Sequence, residues 1–147
     1  MADGGDRLTV RVGDRLSTIP AAAWDACAGP YNPFLAHAFL EALEASGSAT
    51  GETGWLPQHL ALEDERGRLL GAAPLYLKSH SYGEYVFDHG WAAAYERAGG
   101  RYYPKLQSAV PFTPVTGPRL LLHPAADPRV ADMLVRGLLE VTRRSNV

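Results

Sequence analysis

The 147-residue sequence has one cysteine, Cys27, so an internal disulfide and a cysteine-based zinc site are both excluded, and a reducing compartment is the natural reading. The surrounding AAAWDACAG offers no basic neighbour to lower the thiol pKa, which marks Cys27 as a buried structural thiol and not a nucleophile. Charge of one sign is also lacking. The net charge is -2, and lysines and arginines are scattered, so the electrostatic footprint of a duplex-binding protein is missing. No apolar run reaches the roughly 18 residues that a membrane span requires. MADGGDRLTV has neither the basic nor the apolar region of a signal peptide, and the expectation is a cytoplasmic protein. There is no internal repeat, no G-x-S-x-G elbow, no phosphate loop ending in Gly-Lys-Ser/Thr and no H-E-x-x-H helix.

What is present is an ordinary globular composition, 46% hydrophobic and 20% charged, in a length that can bury one core. Leu8, Val10 and Val12 alternate with Thr9 and Arg11, the period of a half-buried strand. Pro20 suits the first turn of a short helix through Trp24 and Cys27, which Gly29 and Pro30 end. Asn32 and Pro33 read as cap and first residue of a second helix closed by Gly47, with Phe34, Leu35, Ala38, Phe39, Ala42 and Leu43 as its apolar stripe. His37 and Glu41, one turn apart on another face, read as a solvated pair.

After the polar loop SGSATGETG, Trp55–Asp64 and Arg68–Lys78 read as two strands of a hairpin turned at Glu65–Gly67. Alternation puts Leu69, Ala73, Leu75 and Leu77 on one face and Leu70, Ala72, Tyr76 and Lys78 on the other, so helices should cover both sides. Pro74 cannot donate to a ladder, which predicts a bulge or splay there. Tyr85–Phe87 reads as a short strand, Trp91–Ala98 as a brief helix, Arg119–Leu122 as another strand, and Asp127–Pro128 as the opening of a final helix with Val130, Met133, Leu134, Leu138 and Val141 on its apolar face. The order predicts a mixed α/β layer structure.

Chemistry-bearing residues gather between Lys78 and Arg119. His80, Asp88 and His89 match no common metal spacing, so no metal site is expected. Glu84 or Asp88 could accept a proton, while Asp88 could equally cap the helix that follows and His89 be a surface turn residue. Two proline-stiffened loops, YYPKLQ and PFTPVTGP, bring Tyr102, Tyr103, Lys105, Gln107, Thr113, Thr116 and Arg119, a set suited to a polar ligand.

The strings NPFLAHAFLEALEASGS and LEDERGRLLGAAPLYLKSHSYGEYVFDHGWAAAYERAGGRYYPKLQSAVPFTPVTGPRLL resemble the bacterial FemAB-like N-acyltransferases, a family within the GNAT superfamily described as peptidoglycan biosynthesis or recognition proteins. The resemblance runs from about Trp24 to the C-terminus. It implies a GNAT-like, mainly antiparallel central sheet flanked by helices, incomplete at its C-terminal side, in one domain over 1–147 with 1–7 flexible. Family members are more than twice as long, so the chain reads as an N-terminal part lacking the acyl-donor half. Arg97, Gly99, Gly100 and Arg101 lack the spacing of a GNAT donor loop, and no cofactor is assigned to this segment. By resemblance, the full-length protein would transfer an acyl or aminoacyl group, from acyl-CoA or aminoacyl-tRNA, to an amine on a small molecule, peptide or cell-wall precursor. Glu84 and Asp88 are the catalytic candidates. Lys78, His80, Tyr82, Tyr103, Lys105, Gln107, Thr113, Thr116 and Arg119 are the substrate-binding candidates. The competing expectation is a peptidoglycan- or carbohydrate-recognition module without chemistry.

Overall fold

The computed structural model describes residues 7–147. The expectation of a flexible 1–7 otherwise lies outside them, but the backbone N–H of Arg7 donates to the Glu65 carboxylate at 3.1 Å. In chain order the elements are β1 (Thr9–Gly13), α1 (Ala21–Ala28), α2 (His37–Ala45), β2 (Leu56–Pro57), β3 (His59–Glu63), β4 (Leu69–Ala73), β5 (Tyr76–Lys78), α3 (His89–Arg97), β6 (Lys105–Gln107), β7 (Leu121–Leu122) and α4 (Arg129–Ser145). The fold is mixed α/β, as the element order predicts.

Two sheets replace the single central sheet expected from sequence: a four-stranded one ordered β1-β3-β4-β7 and a three-stranded one ordered β2-β5-β6, each antiparallel throughout. The division falls where Pro74 predicts a splay. Each arm of the hairpin breaks there, between β2 and β3 at Gln58 and between β4 and β5 at Pro74–Leu75. One bond still crosses the break, from Gln58 N–H to Leu75 O at 2.8 Å. The Leu75 N–H instead donates to Nδ1 of His59 at 3.3 Å, and Ser108 Oγ donates to the Pro74 carbonyl at 2.7 Å. The backbone groups freed by proline are thus taken up by side chains.

Helices cover both faces of the larger sheet. Trp24 and Cys27 of α1 and Leu40 of α2 join Ala61, Leu69, Ala72 and Leu121 in one buried cluster; Val130, Leu134 and Val141 of α4 join Leu60, Leu62, Leu70 and Ala73 in the other. These clusters correct the strict alternation read along Arg68–Lys78, because the β3–β4 register shifts between Leu62 and Glu63. That bulge sends Leu69 with Ala72 toward α1, and Leu70 with Ala73 toward α4. Burial raises the Cys27 thiol to about 11, in keeping with a structural role. A Cβ on Gly71 would stand 2.7 Å from Val130 Cγ1 and 3.0 Å from Leu134 Cδ1, so the glycine lets α4 lie close on β4. Gly71→Ala is expected to cost about 1–3 kcal/mol in urea unfolding, with the midpoint falling and the slope unchanged.

The second helix departs from its sequence reading. Asn32 accepts from Phe34 N–H at 3.1 Å and caps only a 3-10 turn, Pro33–Leu35; Ala36 is extended, and α2 starts afresh at His37. The interruption rephases the helix, so Leu35, His37 and Leu40 are buried whereas Phe34 is exposed. His37 is accordingly not one of a solvated pair. Its Nε2 lies 3.0 and 2.9 Å from the carbonyls of Leu16 and Ile19, which places the proton on that nitrogen. Two further corrections concern the site region. Tyr85–Phe87 forms no strand and its side chains are exposed, whereas Lys105–Gln107, read as loop, pairs with β5 as β6. The final helix buries Val130, Leu134 and Val141, as its apolar stripe predicts.

Candidate functional site

The smaller sheet sets the site. Its register pairs Tyr76 with Gln107 and Lys78 with Lys105, so these four side chains share one face. Gly54, with a φ of 85°, turns the chain into β2; a Cβ there would stand 2.9 Å from the His80 carbonyl oxygen, which only glycine avoids. Trp55 follows, with its ring beneath Lys78 Nζ at 3.6 Å from the centroid. Ring contacts then run Trp24–His59 (5.9 Å), His59–Tyr76 (5.0 Å), Tyr76–Trp55 (5.3 Å) and Trp55–Phe112 (5.6 Å), joining the core to the site wall.

Lys78 is only 1% exposed and ion-pairs with Glu84. Burial pulls its ammonium below the ordinary lysine value, and the Glu84 hydrogen bond and charge oppose that shift. Beside it a second charged group forms around Asp88. Its carboxylate accepts from Tyr102 Oη at 2.8 Å, Lys105 Nζ at 2.5 Å and the Tyr103 hydroxyl, and Lys105 Nζ also lies 2.8 Å from Tyr102 Oη. Burial would raise the Asp88 pKa, but the bonds from Lys105, Tyr103, Ser81 and Tyr102 outweigh it and hold the carboxyl well below the usual range. Burial and the same carboxylate hold the Tyr103 phenol well above its ordinary value. Asp88 precedes α3 but makes no side-chain cap, and His89 is the first helical residue, not part of a turn.

Because the folded pKa of Asp88 is depressed, its stabilisation is full above the unfolded value of about 3.9 and is lost as pH falls below it. The wild type should therefore lose stability along this acid limb more steeply than Asp88→Asn. Denaturant midpoints measured at successive pH values check this.

A cleft of about 230 Å³ opens on one side of these charges. Trp55, Glu84, Gln107, Phe112, Thr113 and Arg119 line it. Phe112 has a φ of 65°, a strained conformation for an aromatic residue, and the contact of its ring with Trp55 helps hold it there. The guanidinium of Arg119 donates to the carbonyls of Gly117, Pro118 and Val115, which knits the PFTPVTGP loop and leaves a cation at the cleft wall. Among the described residues the Trp55 Nε1–H has no acceptor. A buried donor left so costs about 1–3 kcal/mol unless a water or ligand oxygen reaches it.

The sequence candidates thus divide. Glu84, Gln107, Thr113 and Arg119 share this cleft, while His80, Tyr82 and Tyr103 line a separate recess and Lys78, Asp88 and Lys105 belong to the charge cluster. Thr116 lines neither; its carbonyl accepts from Asn32 Nδ2 at 3.0 Å. Trp55 and Phe112 carry no functional signal in the sequence. An unbroken hairpin would put Trp55 opposite Leu77, and only the bulge shifts it to Lys78, while nothing in PFTPVTGP marks Phe112 as left-handed.

The FemAB-like family, described as peptidoglycan biosynthesis/recognition, matches residues 15–147. The chain belongs to this family. Its role accordingly lies in peptidoglycan biosynthesis or recognition. Comparison with curated proteins and comparison with solved structures each found no match. No helix among the described residues is long and apolar enough to cross a membrane.

Proposed function

We propose that this FemAB-like chain binds the amine acceptor of an acyl or aminoacyl transfer, and that the acceptor is a peptide-bearing cell-wall precursor. One observation carries the reading: Glu84, anchored by a buried lysine, stands in the wall of a cleft that also contains a cation, an amide and a hydroxyl. Glu84 holds the acceptor ammonium and Arg119 a carboxylate of the same peptide. Gln107 and Thr113 supply neutral hydrogen bonds to the peptide between them.

For transfer, the bound ammonium gives one proton to Glu84, the amine nitrogen so freed attacks the acyl carbonyl carbon of the donor, and its second proton leaves with the donor's thiol or alcohol as the carbonyl–donor bond breaks and the amide bond forms. Lys78 keeps the Glu84 carboxylate in place. Asp88 is the poorer base, because three donors already occupy it and hold its pKa down; it orders Tyr102, Tyr103 and Lys105 beside the cleft. A coenzyme A pyrophosphate does not fit the Gly99–Gly100 turn. That turn follows the C-terminal end of α3, where carbonyls and the negative dipole end face an anion. The donor is therefore not placed on these residues.

The test is calorimetric titration of the chain with a short peptide carrying a free lysine side-chain amine, against its N-acetylated form. Preferential binding of the free amine, lost in Glu84→Gln, is expected. Equal affinity for both peptides would end the assignment.

A further inference from the structure

On the other side of the charge cluster lies a recess of about 260 Å³ between residues 79–82 and the start of α3. A run of rings lies along it, with His80, Tyr82 and His89 in its lining and Phe87 beside His89 just outside. His80 and Tyr82 are 5.2 Å apart, Tyr82 and His89 5.3 Å, and His89 and Phe87 5.0 Å, the last pair stacked at 27°. Tyr82 is 71% exposed and Phe87 62%, so these rings meet solvent and do not fill a core.

On α3 the spacing 89, 92, 93, 96 turns His89, two small alanines and Glu96 toward the recess. Ala92 and Ala93 keep the floor low, and Glu96 makes no ion pair or side-chain hydrogen bond among the described residues. The Tyr82 hydroxyl likewise has no hydrogen-bond partner there, whereas the Tyr103 hydroxyl is engaged by Asp88. Lysine and arginine are absent from the lining.

We propose that this recess is a saccharide subsite, taking an uncharged pyranose such as an N-acetylhexosamine. A pyranose has one face of C–H groups, which an exposed ring covers, and a rim of hydroxyls, which a carboxylate, the His89 imidazole and a phenol can bind; His80 is held by the Glu52 carbonyl and the Tyr82 N–H and serves as a ring face. The charge at the recess selects among ligands. One carboxylate and no cation disfavour phosphates and nucleotides, while an unpaired carboxylate is a good acceptor for sugar hydroxyls. The assignment deepens the cell-wall reading above and rests on it for the connection of sugar to peptide: the glycan end sits on the rings and the peptide end in the Glu84 cleft.

The test follows amide and aromatic resonances of the chain during titration with an oligomer of β-1,4-linked N-acetylglucosamine, and separately with uridine monophosphate. Saturable shifts at His80, Tyr82, His89 and Glu96 are expected with the oligosaccharide. Affinity should fall at least tenfold in Tyr82→Ala and in Glu96→Gln, both with unchanged spectral dispersion elsewhere. Absence of saturable shifts, shifts confined to the Trp55 cleft, or binding of the nucleotide in place of the sugar would each overturn the proposal. Amine-selective peptide binding without sugar binding removes this subsite and leaves the Glu84 assignment. Sugar binding without amine selectivity does the reverse.

Discussion

Lys78→Ala is expected to destabilise the chain by about 3–5 kcal/mol, because it leaves the Glu84 carboxylate without its buried partner and opens space above Trp55. Lys78→Met should cost far less when Glu84→Gln is made with it. A buried ion pair is worth little against a neutral pair of similar volume, whereas half of one is costly. Equilibrium unfolding of the two single variants and the double variant measures this coupling. A double variant as unstable as the sum of the singles would mean that the two side chains act independently.

A loss of similar size is expected at Glu44, which does not line the cleft. One Glu44 oxygen accepts from His59 Nε2 at 2.5 Å and the other from Leu16 N–H at 2.7 Å. His59 is completely buried at the point where the sheets part, and its Nδ1 already accepts from Leu75, so its proton is on Nε2 and directed at Glu44. Glu44→Ala strands two buried donors at about 1–3 kcal/mol each, and a total of about 2–5 kcal/mol should appear in denaturant unfolding. Glu44→Gln, which keeps an acceptor for one of them, should recover part of it. Hydrogen exchange should speed up first at Leu75 and Leu16, where the pair ties the splayed hairpin to the N-terminal segment.

Much of this architecture was legible in the residues. Pro74 announced the splay because a missing N–H cannot be hidden in a ladder. The terminal helix announced itself through a stripe that recurs every three or four residues. What could not be read depended on partners distant in sequence. His59 and Glu44 each look ordinary alone, and their pairing exists only after α2 has packed beside β3. The helix after Asn32 was misphased because a cap residue also serves a single 3-10 turn, and local preference does not say which. YYPKLQ reads as loop because its polar side chains conceal a three-residue strand whose pairing is supplied by β5.

The candidate site was legible as a set but not as an arrangement. Tyr103, Lys105, Gln107 and Arg119 do gather around the strand bearing Lys78, yet they serve different ends: Tyr103 and Lys105 hold Asp88, Arg119 holds its own loop, and Gln107 faces the cleft. Strand alternation in β6, which the polar sequence hides, decides which of them point together. Asp88 illustrates the same limit. Its place before a helix suggests a cap, but the phenols and the ammonium opposite compete successfully for its oxygens.

The central claim is that the Glu84 carboxylate recognises an amine. Its most direct test is the free-amine and acetylated peptide titration carried out in parallel on wild type, Glu84→Gln and Lys78→Met. The account predicts selectivity for the free amine in wild type, its loss in Glu84→Gln by about ten- to a hundredfold in affinity, and a smaller loss in Lys78→Met, which keeps the carboxylate but removes the lysine that positions it. Selectivity that survives in Glu84→Gln, or is absent from the wild type, would contradict it.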